Sequence, residues 1–176
     1  MSGPSIVDAR EEDIPRILEI EQTSITPPWT HGALLGEIYR DDSFFAVVKA
    51  PVSGDPKIVS IEYSPRAPAA ESEERREDMA VQGFVILRRM GDEAELLQIA
   101  VDKAMRRLGL ADKLMLAALR YSLENELGSI FLEVRSSNEA AIALYKKHGF
   151  KPVSSRKDYY IDPVEDAVVM KRAQDT

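Results

Sequence analysis

The chain of 176 residues contains no cysteine, so it can have no disulfide framework, no thiol nucleophile and no cysteine-ligated zinc or iron–sulfur site. Histidine is scarce. His31 and His148 are the only two, which argues against a histidine-rich metal cluster. No apolar run approaches the roughly 18 residues that a membrane-crossing helix needs. Residues Met1 to Asp13 lack a basic stretch followed by an apolar one, so no secretory signal is expected. These absences predict a soluble cytoplasmic protein with no metal. Positive charge is also in deficit: 23 Lys and Arg stand against 30 Asp and Glu, a net charge of −7. That balance disfavours direct nucleic-acid binding and favours a basic substrate. A hydrophobic share of 44% in a chain of this length is enough for one domain with a single core.

The pattern along the chain predicts an α/β domain with a mixed sheet. Ile14, Ile17 and Leu18 recur at helical spacing behind the acidic Glu11-Glu12-Asp13, with Pro15 tolerated in the first turn. Pro27-Pro28-Trp29-Thr30 interrupts, and a second helix is predicted over about His31–Tyr39. Ser43–Ala50, Val81–Met90 and Glu95–Val101 read as strands, the last two joined by a Gly91-Asp92 turn. Leu110–Leu123 reads as a helix ended by Gly128, and Ile130–Val134 as a short strand. Ser137-Asn138 can cap a helix over Glu139–His148, which Gly149 closes. Tyr159-Tyr160 and Ala167–Met170 mark two final strands. Residues 51–79 stand apart, with four prolines and the run Glu71–Asp78, which holds five acids and two bases. They read as a solvated insertion, with a short strand possible over Ile58–Tyr63 and contact with a substrate or partner as the other reading.

Three features could carry chemistry. Ile99 to Lys113 runs from an apolar strand through a basic loop into a helix, with Lys103, Arg106, Arg107 and Lys113 against one acid, Asp112. A helix N-terminus entered through Gly109 offers free N–H groups and a positive dipole end, which suits an anion. The ATP-type phosphate loop is disfavoured because Asp112-Lys113 follows where it needs Lys-Ser/Thr, and of the three glycines of the dinucleotide loop only Gly109 is present. A plain basic turn remains the other reading. Glu133 interrupts the apolar strand Ile130–Val134 and shares a face with Phe131, opposite Leu132 and Val134. It is either a solvated residue or, in a partly apolar cleft, a general base. Tyr145, on the helix after Asn138, is either a core aromatic or a general acid.

Taken in order, these parts resemble the GNAT N-acetyltransferases: Ile99-Ala100-Val101-Asp102, then Arg106-Arg107-Leu108-Gly109-Leu110-Ala111, then Leu132-Glu133-Val134-Arg135, then Asn138-Glu139-Ala140-Ala141-Ile142-Ala143-Leu144-Tyr145, then Gly149-Phe150. Within that superfamily they are most similar to bacterial RimI-type ribosomal-protein-alanine N-acetyltransferases, helped by Pro28-Trp29, Tyr159-Tyr160 and Glu165-Asp166-Ala167. The likeness is dense from Glu95 to Met170, thinner over the first 50 residues, and absent from Pro51 to Met79.

The resemblance implies a mixed, mostly antiparallel sheet splayed between two parallel strands, flanked by helices, with acetyl-CoA in the splay. Ile99, Ala100 and Val101 would lend backbone groups to the pantetheine arm. The loop of Arg106, Arg107, Leu108, Gly109, Leu110, Ala111 and Asp112 would wrap the pyrophosphate, and Asn138 would approach from the next helix. Glu133 matches the family's proton acceptor and Tyr145 its proton donor. The implied substrate is the basic N-terminal peptide of a small-subunit ribosomal protein, beginning with alanine, and the enzyme is expected as a monomer or weak homodimer. Trp29 and Tyr159-Tyr160 are the residues expected to flank the peptide. Alternative readings are acetylation of a small amine or lysine side chain, and a non-catalytic acyl-CoA-binding module. A mere sensor would need neither Glu133 nor Tyr145.

Overall fold

Ile14, Ile17 and Ile20 fall on one face of the first helix, and all three are fully buried. Burial of each such side chain contributes roughly 1.5–3 kcal/mol, and this stripe fixes which way the helix lies on the sheet. The computed structural model describes residues 4–51, 63–64 and 79–174. Its strands are β1 (Ser5–Asp8), β2 (Ser43–Pro51), β3 (Met79–Met90), β4 (Glu93–Val101), β5 (Ser129–Arg135), β6 (Lys151–Ile161) and β7 (Val164–Ala173). Its helices are α1 (Ile14–Gln22), α2 (His31–Ile38), α3 (Leu110–Glu124) and α4 (Glu139–Lys147). No helix among the described residues is long and apolar enough to cross a membrane.

The strands form one seven-stranded sheet in the order β1-β2-β3-β4-β5-β7-β6. Neighbouring strands are antiparallel except β4 and β5, which run parallel. That parallel pairing covers only Glu93–Ser129, Ala94–Ile130 and Glu95–Phe131. Beyond it the two strands part. The cause lies partly in β4, where the β3 register slips between Ile86 and Leu87 and leaves Leu97 as the extra residue. A bulge bends its strand and strengthens the local twist, here two residues past the last β4–β5 pair.

Helices α3 and α4 cover one face. Leu114 and Met115 pack there with Leu132, Val134, Tyr145 and Phe150. Helices α1 and α2 cover the other, where Ile14, Ile17, Ile20 and Leu34 meet Phe45, Val47, Phe84 and Ile86. Leu132 and Val134 belong to the first face, so Phe131, Glu133 and Arg135 point to the second, as alternation requires.

The expected mixed sheet is present, with differences at its margins. A strand, β1, precedes the first helix. Its four residues are too few for alternation to register, and pairing with β2 makes it a strand. Gly128 does not end α3. The helix stops at Glu124, Glu126 takes the left-handed conformation at φ 55°, and Gly128 instead donates its N–H to Asp92 O at 2.7 Å. Strand β6 is far longer than Tyr159-Tyr160, but it is exposed almost throughout, so its sequence has no apolar alternation to read. Of the expected 51–79 insertion, Tyr63 bridges Ile6 in parallel, while the Glu71–Asp78 run and most of Ile58–Tyr63 lie outside the described residues.

Candidate active site

The parted strands open onto a cleft of about 530 Å³ on the α3–α4 face. Ile99, Ala100, Val101, Arg106, Arg107, Gly109, Leu110, Ala111, Asp112 and Asn138 all line it. Of the residues expected there, only Leu108 does not; its side chain is 39% exposed. Backbone groups contribute to its walls. Past Glu95 the β5-facing edge of β4 has no strand partner, so its N–H and C=O groups are open to a ligand. The first helical bond of α3 is Lys113 N–H to Gly109 O, which leaves the N–H groups of Leu110, Ala111 and Asp112 free. Arg107 at φ 66° and Gly109 at φ 79° are both left-handed and curl the loop before the helix into a nest of N–H groups. This donor set fits a diphosphate, and a narrow apolar slot beside an unpaired strand edge fits an amide-bearing chain.

Side chains brace the cleft rather than fill it. Arg106 donates through Nε to Val101 O at 3.2 Å and through Nη2 to Ser24 Oγ at 2.8 Å, so it ties the loop to the end of α1. Asp112 Oδ1 accepts from Lys147 Nζ at 2.7 Å and lies 2.9 Å from His148 Nε2, which draws the start of α3 to the end of α4. Burial works against the Asp112 charge, but Lys147 and His148 outweigh it and hold the carboxyl below its usual range. Asn138 caps α4, its Oδ1 accepting from Ala141 N at 3.2 Å.

Glu133 sits on the opposite face, two residues beyond the last β4–β5 pair, with its side chain 12% exposed. Two polar side chains reach it. Oε1 accepts from Arg156 Nη1 at 2.8 Å, and the Tyr159 hydroxyl bonds to the same carboxylate. That bond to Glu133, aided by burial, pushes the Tyr159 phenol up to about 12. Glu95, on β4, is also raised, first by burial and then by the Glu133 charge. Tyr145 lies on the α3–α4 side, fully buried, and burial pushes its phenol well above the ordinary tyrosine range. Its position is set by the end of α4. Gly149, at φ 85°, donates to Lys146 O at 3.1 Å and Phe150 donates to Tyr145 O at 3.0 Å. This cap carries its usual hydrophobic contact, with the Tyr145 and Phe150 rings 5.9 Å apart.

The fold that frames this cleft is shared with known proteins. The model of the acetyltransferase (GNAT) family matches residues 15–150. The chain belongs to the GNAT family. A [ribosomal protein bS18]-alanine N-acetyltransferase of Haemophilus ducreyi is 31% identical over 91% of this chain and 93% of the relative. The protein of the same name from Haemophilus influenzae is 33% identical over 90% of each. Among solved structures, the ribosomal-protein-S18-alanine N-acetyltransferase of Escherichia coli superposes with a TM-score of 0.74 at 25% identity, covering 98% of this chain and 95% of that one.

In this GNAT domain several site residues escape a linear reading. Ser24 and Lys147 line the cleft, and Arg156 holds Glu133, yet none stands in a motif that marks it. The signal for Arg156 is topological. The last strand, β7, inserts between β5 and β6, which sets Arg156 and Arg135 on either side of Ala167. Only that strand order brings β6 side chains to Glu133. Trp29, expected beside the acceptor, lines a separate surface hollow with Glu37 and Arg88, and its backbone N–H donates to the buried Glu21 Oε2 at 2.8 Å.

Proposed function

We propose that this chain transfers the acetyl group of acetyl-CoA directly to the N-terminal amine, of alanine type, of a ribosomal protein. The observation that carries this reading is the gap between β4 and β5, with the diphosphate-sized nest on one face and Glu133 on the other. Bound acetyl-CoA supplies an acyl thioester. The free N–H groups at the start of α3 hold its diphosphate, and the open edge of β4 aligns its arm, so that two reactants meet without a covalent enzyme intermediate.

Proton movement falls to two side chains. A terminal amine, with pKa about 7.7–8.0, is mostly an unreactive ammonium at neutral pH. The neutral fraction of the amine attacks the acetyl carbon, and Glu133 takes the proton that the nitrogen sheds as the new N–C bond forms and the C–S bond breaks, the Arg156 ion pair giving way to the incoming peptide. Tyr145 keeps its proton at every working pH and donates a hydrogen bond to the departing sulfur. A phenol so reluctant to ionise stabilises the thiolate more than it neutralises it outright.

The relatives' names and the −7 net charge support a basic ribosomal-protein tail as acceptor. On this reading the whole chain is one acetyltransferase domain, residues 51–79 are an insertion, and the enzyme works in the cytoplasm as a monomer or weak homodimer. The test is a panel of peptides beginning Ala-Arg or Ser-Arg, offered beside small amines, with the acetyl group located by mass spectrometry. Acetyl on the α-amine of the alanine peptide is the expected result. Transfer to small amines alone overturns the ribosomal-protein reading.

A further inference from the structure

Arg135 ends β5, two residues after Glu133 and on the same face. Its guanidinium uses all four terminal N–H bonds. Nη2 donates to Thr26 O at 3.2 Å and to Asp162 O at 2.9 Å. Nη1 donates to Pro163 O at 3.2 Å and to Glu165 Oε2 at 3.3 Å. Its flat face covers the Tyr160 ring, 4.1 Å from the centroid. Thr26 belongs to the connection between α1 and α2, whereas Asp162 and Pro163 form the turn between β6 and β7. These two segments are more than 130 residues apart in the chain and flank the Glu133 side of the gap. Two carbonyl oxygens of one and one of the other converge on a single side chain that is only 18% exposed.

We propose that Arg135 is the positioning residue of the acceptor channel: its guanidinium straps the α1–α2 connection to the β6–β7 turn and fixes the width of the passage that leads to Glu133. The proposal rests on the acceptor entering from the Glu133 face. The strap also reaches the coenzyme side. Glu165, bonded to Arg135, accepts from Ser137 N at 2.6 Å and Ser136 Oγ at 3.1 Å, immediately before the Asn138 cap of α4. A planar fork of donors is needed for this geometry, and the point charge of a lysine cannot satisfy three carbonyls and a carboxylate at once.

The test compares Arg135→Gln and Arg135→Lys with the full-length wild type. Hydrogen exchange, read without substrate, is expected to quicken about tenfold in both the 23–30 and the 161–164 segments while α3 keeps wild-type protection. In kinetics, KM for the acceptor peptide rises about tenfold in both variants, with kcat and the KM for acetyl-CoA within about twofold of wild type. A small primary amine, which spans no channel, shows no such rise. Wild-type exchange in either segment, an unmoved peptide KM, or full rescue by lysine overturns the strap. If the wild type acetylates no peptide, the proposed function fails, and the exchange result alone decides the strap.

Discussion

On the α3–α4 side of the gap, the groups that would hold the coenzyme come from one stretch, Ile99 to Asp112, joined by Asn138, and most are backbone N–H and C=O. On the other side the groups are the side chains of Glu133, Arg135, Arg156 and Tyr159. A backbone site tolerates changes of side chain and is insensitive to sequence except where a dihedral angle is special. A side-chain site depends on each residue type. The coenzyme half can therefore stay constant while the acceptor half is retuned.

The sharpest way to break this contrast is Glu133→Gln. The substitution keeps the shape and removes the proposed proton acceptor, so kcat is expected to fall about 100-fold or more, the usual worth of a positioned acid or base. Calorimetry should find acetyl-CoA affinity within about twofold of wild type, because the backbone face does not involve Glu133. The same variant removes the charge that holds the Tyr159 phenol up to about 12. The Tyr159 pKa should then fall toward about 10, visible in an ultraviolet titration. Turnover at the wild-type rate at neutral pH removes Glu133 from the mechanism.

Tyr145→Phe ranks next. Losing one donor to the leaving sulfur is expected to lower kcat about tenfold, while the Phe150 contact and the α4 cap keep the fold intact. A wild-type kcat returns Tyr145 to the core.

Gly109→Val probes the opposite side. A Cβ there meets nothing within 4 Å, so the substitution causes no clash. The residue sits at φ 79°, however, where a β-branched side chain costs about 1–2 kcal/mol. The nest unwinds to relieve that strain, and acetyl-CoA affinity is expected to drop about tenfold or somewhat more, with kcat at saturation little changed. Unaltered affinity means that the nest does not grip the diphosphate.

The same contrast explains what was legible in the sequence. The coenzyme half follows from local pattern: an apolar strand, a basic loop, a glycine, then an amphipathic helix, all within fifteen residues. Glu133 is visible because it interrupts an apolar strand. The surroundings of Glu133 are not visible, since Arg156 reaches it only through the β5-β7-β6 order, and a lone arginine on an exposed edge strand carries no pattern. Arg135 stands in a quoted motif, but its contacts are silent in a linear reading, because its partners Thr26 and Asp162 are carbonyls, which every residue has. Strand alternation gives the face of a side chain but not what a distant hairpin lays over it.

The smallest expected effect concerns the link between the two halves. Glu165 accepts from Ser137 N, Ser136 Oγ and Arg135, and the Ser137 backbone N–H leads these in holding its carboxyl down at about 2. The folded pKa lies below the ordinary carboxylate value, so the folded state prefers the ionised form. The resulting stability is complete above about pH 5 and drains away as pH falls through the mid-4s toward 2. Glu165→Gln should flatten the fall of Tm over that window and leave Tm near pH 7 slightly below wild type, because three donors lose a charged acceptor. Thermal melts at steps between pH 7 and pH 2.5 read this directly. If the strap and the α4 cap are coupled through Glu165, the variant also loosens the 161–164 segment in hydrogen exchange at neutral pH. An acid profile identical to wild type would mean that the carboxylate merely rests on solvent-facing donors and transmits nothing between coenzyme and acceptor.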